Sequence, residues 1–174
     1  MTKQPLRRAE RHFDVPAKLF VRPLKVAVIY AVCYRFRVPI FERLARHPAL
    51  RTRFFFGKGV PGTKVSNASE ISGIDHQVLW SLAFQVRSTG RSVVAQWSPM
   101  LLFHLLTYRP DVLLIQGGEL FNNLSVFFYA RLTNTPIAWW SLGEVRGRQY
   151  KGLSLYYRRA VRWIESRSAT WLGY

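Results

Sequence analysis

The chain has 174 residues, with 26 Lys and Arg against 9 Asp and Glu, giving a formal net charge of +17. Its hydrophobic fraction of 49% excludes wholesale disorder, and its length suits one ordinary domain with a real core. A single cysteine, Cys33, excludes a disulfide framework and a cysteine-rich zinc site, and fits a reducing compartment.

Residues 1–24 read as a basic leader with Pro5, Pro16 and Pro23. It has no apolar segment of the signal-peptide kind, and no stretch of the chain approaches the ~20 apolar residues of a membrane helix, so a cytoplasmic location is expected. Residues 25–32 are apolar and β-branched without alternation, the pattern of a strand buried on both faces. Pro39 stands where a helix can start; Ile40, Phe41, Leu44 and Ala45 then follow helical spacing until His47-Pro48. A second strand is predicted over residues 52–56, closed by Gly57-Lys58-Gly59-Val60-Pro61-Gly62, then a loop over 63–74 and a third strand over 75–80.

Residues 81–97 give no clear pattern. Ser98-Pro99 has the form of an N-cap and first helical residue, predicting a helix to about Tyr108, where Arg109-Pro110 stops it. Another buried strand follows over 111–115, ending in Gly117-Gly118. A helix over about 121–133 is expected to turn Leu124, Phe127, Phe128 and Leu132 to one face, with Asn134-Thr135-Pro136 as its break. A strand is predicted over 136–141. The last helix, over 152–167, places Leu153, Tyr156, Tyr157, Ala160, Trp163 and Ile164 on an apolar face, with Arg158, Arg159 and Arg162 opposite. Residues 169–174 begin another strand. Alternating helices and apolar strands predict an α/β fold with a doubly wound, mostly parallel, Rossmann-like sheet.

The charge is spread along the chain with modest enrichment at its ends: residues 1–25 and 143–174 together hold 14 of the 26 basic residues. Such an excess favours acidic partners, whether nucleic acid, an anionic membrane surface or phosphorylated substrates. No nucleic-acid module is recognisable, and the aromatics fall at core spacings, which disfavours nucleic acid.

Ligands of open parallel sheets bind beyond the carboxyl ends of the strands. The loop after the first strand, Cys33-Tyr34-Arg35-Phe36-Arg37, lacks the glycine pattern of a dinucleotide site; its arginines can meet a phosphate or simply face water. Gly57-Lys58-Gly59 is a flexible turn and not a phosphate-binding loop. Gly117-Gly118-Glu119 follows the strongest strand, where glycines admit a close ligand and the next helix offers free N–H groups. Asn122 and Asn123 can cap that helix or bind a polyhydroxylated ligand. Glu144, in Gly143-Glu144-Val145-Arg146-Gly147, can accept from a hydroxyl or pair with Arg146. Trp139 and Trp140 suit core packing better than sugar stacking. His12, His47, His76 and His104 are scattered, so no bound metal is expected.

Residues 34–44 (YRFRVPIFERL), the segment Arg109-Pro110-Asp111-Val112-Leu113-Leu114-Ile115-Gln116-Gly117-Gly118, the segment Asn134-Thr135-Pro136-Ile137-Ala138-Trp139-Trp140 with Gly143-Glu144, and residues 169–174 together resemble the first half of a GT-B glycosyltransferase. The match is to the family 4-like N-terminal domain and covers residues 25–174. The resemblance implies a domain that binds a glycan or lipid-linked acceptor and faces a second domain that binds a nucleotide-sugar. No other cofactor is implied. This chain would carry the acceptor half alone and be inactive by itself. Glu119, Asn122 and Glu144, with Gly117 and Gly118, become acceptor-side candidates, and Arg35 a candidate for the donor phosphates. Many relatives carry a His where this chain has Ser141-Leu142-Gly143-Glu144, so no catalytic residue is carried over. The basic leader and Arg158, Arg159 and Arg162 could attach the domain to anionic headgroups. The rival reading is a non-catalytic subunit that recruits a separate donor-domain protein to the membrane.

Overall fold

A computed structural model of the chain describes residues 22–60, 66–68, 71–88, 91–117, 119–140 and 153–172. The elements in order are β1 (Leu24–Tyr30), a 3-10 turn (Arg35–Arg37), α1 (Val38–Arg46), β2 (Leu50–Gly57), β3 (His76–Leu79), β4 (Leu82–Ser88), β5 (Arg91–Trp97), α2 (Leu101–Tyr108), β6 (Val112–Gln116), α3 (Phe121–Thr133), β7 (Ile137–Trp140), α4 (Leu153–Glu165) and β8 (Thr170–Leu172). Residues 1–21 of the predicted leader lie outside the described residues.

Six strands form one sheet in the order β3-β2-β1-β6-β7-β8, and every neighbouring pair is parallel. With β4 and β5 set aside, this is the strand order of a doubly wound α/β sheet, and the order reverses between β1 and β6. The apolar runs read from the sequence are its central strands. They lack alternation because both faces are covered. On one face Ala27, Ile29, Phe55, Leu113, Ile115 and Trp139 pack under α2, α3 and α4. On the other, Val28, Tyr30, Phe54, Phe56, Leu114 and Trp140 pack with Phe41 of α1. The Asp111 carboxylate fastens the amino edge. It accepts two bonds from Arg22, at 3.0 and 2.7 Å, and one from the Lys25 N–H at 2.8 Å.

One unread stretch is assigned, and two expectations about the elements are corrected. Residues 82–97 are an antiparallel hairpin, β4 against β5, with Ser88 opposite Arg91. The signal was alternation at Leu82, Phe84 and Val86, and a two-residue Thr89-Gly90 connection. Ser98 is not a helix cap: α2 starts at Leu101, no side chain caps it, and the Ser98 hydroxyl lies 2.9 Å from that of Ser81. The predicted apolar face of α3 is not its buried face. Val126, Phe127, Tyr129 and Ala130 are buried with Asn122 and Asn123, whereas Phe128 and Leu132 are 63% and 78% exposed. Apolar residues surround this helix, so periodicity alone could not orient it.

Candidate functional site

The carboxyl ends of β1 and β6 meet at the point where the strand order reverses. The chain after β1 is tied to β6 and to the β2–β3 connection through side-chain amides. The Ala31 N–H donates to Gln116 Oε1 at 3.2 Å, and the Cys33 N–H to Asn67 Oδ1 at 2.7 Å. Asn67 Nδ2 in turn donates to the Gly57 carbonyl at 2.9 Å. Gly57 is fixed by crowding: a Cβ there would stand 2.5 Å from Gln96 Oε1 and 2.7 Å from the Ala31 carbonyl oxygen. The Gly117 N–H donates to the Trp140 carbonyl at 2.8 Å, so this glycine belongs to the strand edge. Gly118 lies outside the described residues.

Glu119 follows, where β6 gives way to α3. Asn122 Nδ2 donates to its Oε2 at 3.2 Å, while Asn122 Oδ1 accepts the Ser98 N–H at 2.8 Å. Asn123 Nδ2 donates to the carbonyls of Gln116 and Glu119, at 3.0 and 2.6 Å. Neither asparagine caps the helix. Both are buried braces, and Asn122 aims one donor at the carboxylate.

Enclosure disfavours the charged form of Glu119 and pushes its carboxyl up to about 7, only partly offset by the Asn122 bond. Two phenols report on the same carboxylate. Burial, and then the negative charge of Glu119, raise Tyr34, with Arg37 pulling the other way. Burial pushes Tyr157 of α4 up to about 12; the Glu119 charge adds to this and a backbone bond at Leu120 opposes it. At the start of α3 there is thus one carboxyl poised near neutrality, whose charge is felt by Tyr34 of the β1 loop and Tyr157 of α4. Such a group can hold a ligand hydroxyl and take its proton.

Arg35 is exposed on the turn after β1, at the same edge of the sheet. Arg37, beside it, is buried, with its guanidinium 4.8 Å from the Trp140 ring centroid and 5.2 Å from that of Tyr30. Trp139 and Trp140 are both core residues. Cys33 is buried and its thiol is pushed up to about 11, which suits packing and not nucleophilic chemistry. Glu144 and Arg146 lie outside the described residues. Arg158 departs from its expected solvent-facing place: it pairs at 3.7 Å with Glu165, which is 6% exposed. Arg159 and Arg162 are exposed as expected.

Among the described residues, no three His, Cys, Asp or Glu side chains are grouped as metal ligands. A cleft of about 220 Å³ opens at the opposite, amino edge of the sheet, lined by Arg131, Asn134, Thr135 and Arg167 over an apolar floor. It offers charge but no acid or base for catalysis near neutral pH.

Sequence reasoning missed Tyr34, Asn67, Gln116 and Tyr157. Gln116 carried a signal, being the polar residue that ends an apolar strand just before the glycines. Tyr157 was read as core because helical spacing cannot show that its hydroxyl reaches a neighbouring loop. No described helix is long and apolar enough to cross a membrane. No protein-family model matches the chain, and no curated protein matches it.

Proposed function

We propose that this chain is the acceptor-side domain of a GT-B glycosyltransferase, acting with a second α/β domain that binds a nucleotide-sugar. The observation that carries this reading is Glu119 at the strand-order reversal, bonded by Asn122 and near enough for its charge to raise Tyr34 and Tyr157. A hydroxyl of a glycan or lipid-linked acceptor would lie against that carboxylate. Asn122 and the phenols would orient it, and Glu119 would receive its proton. Arg35, exposed on the same edge, would face the phosphates of the donor held by the second domain. The order and spacing of the segments that resemble the family 4-like domain support the same assignment. The donor domain can belong to the same protein or to a separate one.

The test is a titration of the ¹⁵N-labelled chain with methyl glycosides of glucose, mannose and N-acetylglucosamine at millimolar concentration. Amide shifts at Glu119, Asn122 and Tyr34 are expected with at least one glycoside, and none at those positions with nucleoside diphosphates. Shifts confined to other surfaces, or a carboxyl edge silent to every glycoside, would sink the reading.

A further inference from the structure

The layer formed by α2, α3 and α4 shows the solvent an unusual surface. Phe103 and Leu106 of α2 are 58% and 51% exposed. On α3, Phe128 and Leu132 lie four apart on the outward side, and Trp163 of α4 is 48% exposed with its ring 5.0 Å from that of Phe127. Neither α2 nor α3 contains an acidic residue. The sole acid of α4, Glu165, is buried and paired with Arg158. Arg131 of α3 and Arg159 and Arg162 of α4 are exposed in the same layer.

We propose that this outer surface docks onto an anionic lipid bilayer. Phe103, Leu106, Phe128 and Leu132 would enter the headgroup boundary, with Arg131, Arg159 and Arg162 on the lipid phosphates. A bilayer satisfies both halves of the surface at once: its interior takes apolar tips, and its headgroups take cations and amphipathic tryptophan. A second copy of a chain carrying +17 would bring like charge against this face, and so would the basic residues 1–21 of the same chain. The inference stands apart from the sugar-transfer reading; either can fail without the other.

The experiment is cosedimentation of the full chain with phosphatidylcholine vesicles, with and without phosphatidylglycerol, at rising salt. Binding is expected only with the anionic lipid. Phe103→Ser, Phe128→Ser and Leu132→Ser together should weaken it about tenfold and remove the part that survives high salt. Arg159→Gln with Arg162→Gln should weaken it roughly tenfold to thirtyfold. Arg43→Gln with Arg46→Gln, which removes equal charge from α1 on the other side of the sheet, should change it less than about threefold. All these side chains are exposed or half-exposed at the surface, so unfolding midpoints should hold and report a folded chain. The proposal is overturned if the folded chain does not bind. Equal losses from both arginine pairs with no effect of the apolar changes would also overturn it, as mere basicity. Apolar changes that abolish capture of a protein partner but spare vesicles would assign the face to that partner instead.

Discussion

The two helical layers flank one sheet and differ in what they turn outward. α1 buries Phe41 among Tyr30, Phe54, Phe56 and Trp140 and shows the solvent chiefly Arg43 and Arg46, the latter 3.3 Å from Glu42, with Ile40 also 40% exposed. α2 and α3 bury Leu101, Leu105, Val126 and Phe127 and still show Phe103, Leu106, Phe128 and Leu132. The first layer follows the rule for a helix between core and water. The second is apolar on both sides, so the solvent side requires another explanation. The lesson is that hydrophobic content measures how much apolar surface exists. Which part becomes core is decided by the sheet it meets.

The largest effects should separate inside from outside. Phe41→Ala should cost about 3–5 kcal/mol, because four aromatic neighbours cannot close around the void. Leu105→Ala on α2 should cost about 2–5 kcal/mol for the same reason. Phe128→Ala and Leu106→Ala should stay within roughly 0.5 kcal/mol. Urea midpoints of the four variants measure this directly. A Phe128→Ala loss comparable to that of Leu105→Ala would mean that the outer face is covered and that the two layers are alike.

This contrast also marks how far the sequence could be read. The central strands were legible because runs such as Val26–Tyr30 and Val112–Ile115 are apolar on both faces, and only a two-sided sheet accepts that. The stops at Pro110 and Asn134 were legible because proline cannot continue a helix, and asparagine tolerates the left-handed turn found at φ 55°. The orientation of α3 was not legible, since apolar residues lie on all its sides and two buried asparagines join its inner face. Glu119 was visible as a carboxylate after a strand. Its two phenols were not, because Tyr157 arrives from a helix 38 positions away in the chain.

A second contrast lies between neighbours on α4. Arg158 points inward to Glu165, and their side chains are 16% and 7% exposed. Arg159 points outward. Arg158→Ala would leave a buried carboxylate without its guanidinium, so a loss of about 3 kcal/mol is expected, against roughly 0.5 kcal/mol or less for Arg159→Ala. Removing both charges with Arg158→Met and Glu165→Leu should recover much of that loss, since an apolar pair of similar volume can replace a buried ion pair. Thermal melts of the three variants test it. Equal losses for Arg158→Ala and Arg159→Ala would show that water reaches Glu165.

The finest contrast concerns one proton at the carboxyl edge, where the inner sides of α3 and α4 meet the sheet. Glu119 is raised from 4.5 to about 7 in the folded chain, so between those values the folded state holds a proton that the unfolded state has lost. Stability then falls as pH rises through this window and levels off above it. At the upper end the deficit is on the order of 2–3 kcal/mol. Asp111 acts in the opposite sense: Arg22 holds it below 3.8, so its contribution is already complete before the window opens. Glu119→Gln keeps the shape and removes the titration. Its stability should match that of the parent near pH 4.5 and exceed it near pH 8, so the difference between the two curves isolates this one group. The destabilisation of the ionised carboxyl is the same property that strengthens it as a base toward an acceptor hydroxyl. Parallel curves across the whole range would place Glu119 in open water, and the proton-accepting role would then have no physical basis.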